Sequence, residues 1–150
     1  MYDHPNILVA FTENHSLGHA FERWPHHITV LPWFKADKTA LAGLESIAKQ
    51  YLPLDVEIGK TARFGTHSDI LVRLVESEAL EQMHRDMLSK RGGLLGLANS
   101  RFVGAEYRSH VTLQGADDPA AGPFVITKLS LVKLTGPGKT KRIESIISHQ

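Results

Sequence analysis

Two short stretches carry most of the chemistry available to this sequence: His27-Ile28-Thr29-Val30 and His110-Val111-Thr112-Leu113, each reading His, apolar, Thr, apolar. Histidine is the side chain whose ordinary pKa suits proton transfer near neutral pH. A threonine hydroxyl both donates and accepts hydrogen bonds. In an extended chain alternate side chains face opposite ways, so His27 and Thr29 point to one side while Ile28 and Val30 point to the other. The same parity holds for His110 and Thr112. Two such strands side by side would line one cleft with two imidazoles and two hydroxyls. That set can take one proton, deliver another and steady negative charge between them. Two copies with apolar flanks are expected by chance on the order of 2% of the time in a chain of this composition. The pair is therefore read as functional rather than as two sheet histidines satisfied by neighbouring carbonyls.

Strand parity adds neighbours. Arg108 shares the His110 face of an unbroken strand and would offer a cation to a phosphate. Trp33 shares parity with His27 and Thr29 and would stack on a base, with Phe34 as the alternative stacker. His26 points away from the cleft and is read as structural. His15 and His19 have a zinc-compatible spacing, but no carboxylate or third histidine is placed beside them, so no metal site is assigned. His4, His67, His84 and His149 fall in segments that read as exposed and receive no role. Lys128, Lys133, Lys139, Lys141 and Arg142 give the C-terminal segment a basic edge, suited either to guiding an RNA end or to keeping an edge strand from pairing with another molecule. The Gly92–Gly96 stretch lacks a Walker lysine and GxGxxG spacing, so a nucleoside triphosphate loop is not supported.

The elements that must position these groups are legible from periodicity and punctuation. Asn6–Phe11 reads as a buried strand, residues 12–25 as a loop or short helix, and His26–Leu31 as a second strand closed by Pro32. From Asp37, a plausible N-cap, Leu41, Leu44, Ile47, Ala48 and Tyr51 line one face of a helix that ends before Pro53. Leu54–Phe64 and Asp69–Val75 form a predicted hairpin through Gly65-Thr66-His67-Ser68. Ser77 caps a second helix with Leu80, Met83 and Met87 on its apolar stripe, ending at Gly92-Gly93. Phe102–Gln114 reads as one broken strand or two short ones, followed by a loop over Gly115–Pro123. Phe124–Leu134 and Thr140–Ser148 pair across Thr135-Gly136-Pro137-Gly138. The order ββαββαβ(β)ββ points to an α+β protein rather than a doubly wound parallel sheet.

Composition bounds the rest. At 150 residues, with 42% hydrophobic and 22% charged residues, the chain fits a single domain over residues 1–150 with a real core. Seventeen Lys and Arg against sixteen Asp and Glu argue against a protein that grips long nucleic acid by charge alone, so a nucleic-acid partner is expected to be short. The absence of cysteine removes disulfides, thiolate metal sites and cysteine nucleophiles. The longest strictly apolar stretch, Ile7–Phe11, falls far short of a membrane span. With no basic leader or cleavage-site pattern at the start, the expected location is cytoplasmic. No protein partner is evident.

Pro25-His26-His27-Ile28-Thr29-Val30-Leu31-Pro32-Trp33-Phe34 and Tyr107-Arg108-Ser109-His110-Val111-Thr112-Leu113 resemble the paired His-x-Thr/Ser motifs of the 2H phosphoesterases, which include the LigT-like bacterial 2'-5' RNA ligases and the cyclic phosphodiesterases. The helices, the hairpins and the roughly 80-residue separation of the motifs match as well. Where family members commonly place proline before each active histidine, this chain has His26 and Ser109. The resemblance implies a bilobal, pseudo-twofold α+β fold, with two antiparallel sheets around a central cleft and flanking helices. It implies a 2',3'-cyclic phosphodiesterase that needs neither metal nor cofactor, with His27 and His110 as the acid-base pair and Thr29 and Thr112 on the non-bridging oxygens. The substrate would be a nucleotide or short RNA bearing a 2',3'-cyclic phosphate, and the product a 2'-phosphate. The same four residues would also support reversible 2'-5' RNA ligation or cleavage of 2'-5' linkages. A noncatalytic nucleotide- or RNA-binding module of the same fold is the rival from another class.

Overall fold

A computed structural model describes residues 5–89, 94–95, 107–113, 118–135 and 140–148. The Gly92-Gly93 helix stop, the Gly-rich stretch to Asn99 apart from Leu94-Leu95, the first part and the last residue of the strand expected over Phe102–Gln114, the first residues of the Gly115–Pro123 loop and the Gly136–Gly138 turn lie outside them, as do His4, Lys139 and His149.

The first strand, β1 (Asn6–Phe11), is buried on both faces, which is why its sequence is continuously apolar rather than alternating. Leu8 and Ala10 join the main core, whereas Ile7 and Val9 join a second, smaller cluster on the opposite face. A short strand, β2 (Ala20–Phe21), forms inside the stretch read as a loop. It is held there by pairing with the last strand, Phe21 opposite Lys141. Strand β3 (His27–Ala36) runs past Pro32 instead of stopping there. The register against β1 shifts twice, between the Leu8–Leu31 and Val9–Thr29 pairs and again between Leu8–Leu31 and Asn6–Phe34. Pro32 lies within the second irregularity, where a strand tolerates a residue with no N–H.

Helix α1 (Lys38–Tyr51) follows directly, and the Asp37 carboxylate accepts the Ala40 N–H at 2.8 Å. After β4 (Leu54–Phe64) and β5 (Ile70–Glu76), helix α2 (Glu78–Leu88) begins in the same way, with Ser77 Oγ accepting the Leu80 N–H at 3.1 Å. Each side chain satisfies one of the unpaired donors of a first helical turn. Asp37→Ala and Ser77→Ala are each expected to lower stability by about 1 kcal/mol, read as a shift of the urea midpoint at constant slope. The β4–β5 turn uses Gly65 at φ +95°, where a Cβ would also come within 3.1 Å of the Ile70 side chain.

Strands β6 (Leu94–Leu95), β7 (His110–Thr112), β8 (Gly122–Ile126), β9 (Lys128–Leu134) and β10 (Lys141–Ser148) complete the fold. The segment read as one strand over Phe124–Leu134 is two. Leu54–Ile58 of β4 takes up β8, while β9 lies between β1 and β10, so the chain crosses from one half of the sheet to the other at Thr127. Among the described residues all pairings are antiparallel, in the order β2-β10-β9-β1-β3-β7-β5-β4-β8, with β6 on the end of β3. The sheet curls into a half-barrel. Its two halves meet where β3 pairs with β7, through Ile28 opposite Val111.

Helix α1 packs on β3 and β10, α2 on β3 and β4, and the helices pack on each other. The main core between helices and sheet takes residues from both halves, among them Phe34, Leu44, Leu80, Met83, Val56, Val75 and Val111. The expected apolar stripes of both helices are in place, with Leu41 and Tyr51 at the margin of this core. One position departs from expectation. His84, read as exposed, is fully buried, because it lies one turn after Leu80 on the inward face of α2.

Candidate active site

The β3–β7 junction brings the two His-x-Thr motifs together. Ile28 and Val111, opposite one another, are fully buried, whereas His27, Thr29, His110 and Thr112 are partly exposed on the other face. Continuing the antiparallel register one residue each way sets His27 opposite Thr112 and Thr29 opposite His110. Directly opposed Cβ atoms on one face lie about 4.5–5.5 Å apart, and diagonal ones about 7–8 Å. The histidines occupy the diagonal. Each imidazole is therefore flanked by the threonine of its own strand and by that of the other.

The two rings are oriented alike. His27 Nδ1 is 2.9 Å from the carbonyl oxygen of Pro25, and His110 Nδ1 is 2.9 Å from that of Arg108, in each case two residues back along the chain. A carbonyl can only accept, so both Nδ1 atoms carry the hydrogen and Nε2 is the nitrogen left for proton transfer. Burial pushes the pKa of His27 down from 6.5 to about 4, against the stabilising hydrogen bond to Pro25, and the nearby charges of His110 and His26 act in the same direction as burial. The His110 pKa is also lowered, by burial first and by the Arg108 charge after the opposing backbone hydrogen bond.

An aromatic ring packs on each histidine, and a cation on each of those rings. Trp24 lies 4.3 Å from His27 between ring centroids, and the Lys141 ammonium sits 5.6 Å from the Trp24 ring while donating to the Glu22 carbonyl at 2.7 Å. In the other half Phe64 meets His110 edge-on at 4.7 Å, and the Arg108 guanidinium lies 4.7 Å over the Phe64 ring. Phe11, opposite His27 on β1, closes the wall beside Trp24.

The other expected positions divide. Arg108 is exposed beside His110. Trp33 lies on the His27 side, packed into the smaller cluster with its ring 6.3 Å from Trp24. Phe34 is 1% exposed in the main core and has no face to offer a base, because it lies on the Ile28 side of β3, opposite to His27 and Trp33, where the helices cover it. His26 turns away from His27 into a cavity of about 750 Å³, lined also by Arg23, Trp24 and Asp118. His15 and His19 stack on each other at 5.2 Å, and among the described residues no group of three potential metal-ligating side chains occurs.

Sequence reasoning missed Trp24 and Phe64. Trp24 had a usable signal, a large ring three residues before His27. Phe64 had none, since its approach to His110 depends on the pairing of β4, β5 and β7.

Comparison with known proteins places this chain in a family. A family model described as the 2'-5' RNA ligase superfamily matches residues 8–147, both motifs included. The chain belongs to the 2'-5' RNA ligase superfamily. This bears out the resemblance of the two motifs to the 2H phosphoesterases and the α+β fold expected from it. Solved structures agree on the fold of this superfamily member at low identity. A protein described as a phosphoesterase is 12% identical, with 97% of each chain covered and a TM-score of 0.58. TT0787 of Thermus thermophilus is 13% identical, covering 96% of this chain and 97% of its own, with a TM-score of 0.57. E. coli LigT complexed with 3'-AMP is 10% identical, with 97% of each chain covered and a TM-score of 0.55. A search of curated proteins finds no match. No helix among the described residues is long and apolar enough to cross a membrane.

Proposed function

We propose that this superfamily member is a phosphodiesterase that opens 2',3'-cyclic phosphates on a nucleoside or a short RNA, with His27 and His110 as its acid-base pair. The observation that carries the reading is the matched orientation of the two imidazoles. Both Nδ1 atoms are fixed on a carbonyl two residues back, on paired strands, with a threonine expected opposite each ring. One neutral imidazole takes a proton from water through Nε2, and the water oxygen forms a bond to phosphorus. The bond from phosphorus to the ribose O3' breaks, and the other ring, as imidazolium, delivers its proton to that oxygen. The product is a 2'-phosphate. Thr29 and Thr112 donate to the non-bridging oxygens as charge builds on them, and Arg108 adds a cation at the rim. Neither proton transfer calls on a metal or a cofactor. Trp24, with Trp33 behind it, supplies the aromatic wall against which a base packs. That E. coli LigT has been solved with 3'-AMP and with NADP+ supports a nucleotide-sized ligand. With the 5'-hydroxyl of a second ribose in place of water, the same step would join the two through a 2'-5' linkage as O3' leaves, the ligation named in the superfamily's description, and its reverse, attack by the 3'-hydroxyl with release of the 5'-hydroxyl, would cleave one.

The pH dependence tests the pair. kcat/KM reports the free enzyme, in which burial holds His27 at about 4 and lowers His110 below 6.5. The expected profile is a bell with its rising limb near the lower value and its falling limb below 6.5, hence an optimum on the acid side of neutrality. A profile that rises through pH 7, or one without limbs, contradicts the assignment.

Stability follows the same shift. A histidine whose folded pKa lies below its unfolded one contributes stability that is complete above the unfolded value and is lost as pH falls toward the folded one. Between pH 6.5 and about 4, His27 alone is expected to withdraw about 3 kcal/mol. Burial lowers the pKa of His84 too, so it acts in the same direction. His27→Gln should flatten part of this acid loss in urea titrations at stepped pH.

A further inference from the structure

The β3–β7 junction that sets the spacing of the two motifs is short: β7 has three residues and pairs with β3 through Ile28 and Val111. The groups next to that pair are held by two side chains outside the cleft. Tyr107, three residues before His110, donates its hydroxyl to the Thr29 carbonyl at 2.6 Å. His84 of α2 places Nδ1 2.7 Å from the Val30 carbonyl, and as that oxygen can only accept, His84 is the donor. The two rings stack face to face, with centroids 3.9 Å apart and planes 10° from parallel.

The location has a physical logic. Val9 pairs with Thr29 and Leu8 with Leu31, so Val30 is the extra residue of a β-bulge, and a bulged residue is left out of the strand ladder. Its buried carbonyl therefore needs a donor from elsewhere, which His84 supplies. Burial keeps the Tyr107 hydroxyl protonated, by pushing its pKa up, and keeps His84 neutral, by pushing its pKa down. Both groups thus hold the protons that these hydrogen bonds require.

We infer that Tyr107 and His84 are positioning residues for the acid-base pair: stacked on each other and bonded to consecutive carbonyls of β3, they fix Thr29 and the bulge beside it against the segment that carries His110. Neither touches the cleft face. Their effect is on the distance between the two motifs, where a misplacement of about 1 Å can cost on the order of 100-fold in rate.

The test compares Tyr107→Phe, His84→Asn and His84→Leu with the wild type. Tyr107→Phe keeps the stack and removes one hydroxyl. His84→Asn keeps an N–H donor at the position of Nδ1, and His84→Leu removes it. On a nucleoside 2',3'-cyclic phosphate, Tyr107→Phe is expected to lower kcat roughly tenfold with KM within about twofold. His84→Asn should retain most of the kcat that His84→Leu loses. Unchanged kcat in Tyr107→Phe, or equal losses in the two His84 variants, overturns the inference.

The kinetic arm rests on the proposed phosphodiesterase reading, and a second arm does not. The His27 C2–H resonance is followed by NMR across pH, with and without inorganic phosphate, in the wild type and Tyr107→Phe. A looser junction admits water to the ring and moves its midpoint up from about 4 toward 6.5. A Tyr107→Phe midpoint equal to that of the wild type overturns the inference, whatever happens to Tm. Should the wild type turn over no cyclic phosphate, the functional reading fails and this arm still decides the role of Tyr107.

Discussion

His27→Ala and His110→Ala are each expected to lower kcat/KM on a 2',3'-cyclic phosphate by roughly 10² to 10⁴-fold, the range for loss of a positioned general acid or base. Combining them should cost little more than the worse single change. Proton removal and proton delivery belong to one transition state, and groups that act as a unit are strongly non-additive. The size of the effect follows from the geometry rather than from the motifs alone. Each imidazole is fixed through Nδ1 on the carbonyl two residues back, so Nε2 has one direction to face. Removal of either ring also leaves its aromatic neighbour, Trp24 or Phe64, against open space, so circular dichroism and a urea midpoint should accompany the kinetics. An additive double variant would mean that the two histidines work in separate steps.

The second large effect is on stability. Phe34→Ala is expected to cost about 3–5 kcal/mol, as for other fully buried aromatic side chains cut back to alanine. Folding stabilities are typically about 5–15 kcal/mol, so this one change removes a large share. Phe34 sits among the residues that α1 and α2 cover, 1% exposed. Trp33, its neighbour in sequence, is partly exposed on the opposite face, so Trp33→Ala should cost less stability and act on KM instead. Urea unfolding of both variants checks this directly. Equal losses would place the two rings in equivalent packing, contrary to the register of β3.

That contrast also marks what the sequence could and could not disclose. The motifs were legible because a period of two, with apolar residues between His and Thr, determines which side chains share a face once the segment is a strand. The helices were legible through their caps and stripes: Asp37 and Ser77 both cap as read, and Leu44, Ile47, Leu80, Met83 and Met87 are all buried. A single bulge reverses parity, and a second one restores it. The two register shifts of β3 offset each other, so Trp33 keeps the side of His27 and Phe34 the core side of Ile28, and nothing in Val30-Leu31-Pro32 announces the shifts except the proline. The crossing at Thr127 was hidden for a related reason, since Phe124–Leu134 has strand character throughout and only its partners, β4 on one side of Thr127 and β1 with β10 on the other, divide it. His84 was misread because its segment looked exposed, although it lies one turn after Leu80 on the inward face of α2. Here a bulged carbonyl in another element supplies the partner that lets it be buried.

The measurement that tests the central claim most directly is turnover of the four nucleoside 2',3'-cyclic phosphates by the wild-type protein in EDTA, with the product identified by phosphorus NMR. Opening of at least one of them to the 2'-phosphate, slowed roughly 100-fold or more in His27→Ala and in His110→Ala, is the predicted result. Turnover left at the wild-type rate by both substitutions, or binding of the cyclic phosphates with no turnover at any pH, would contradict it.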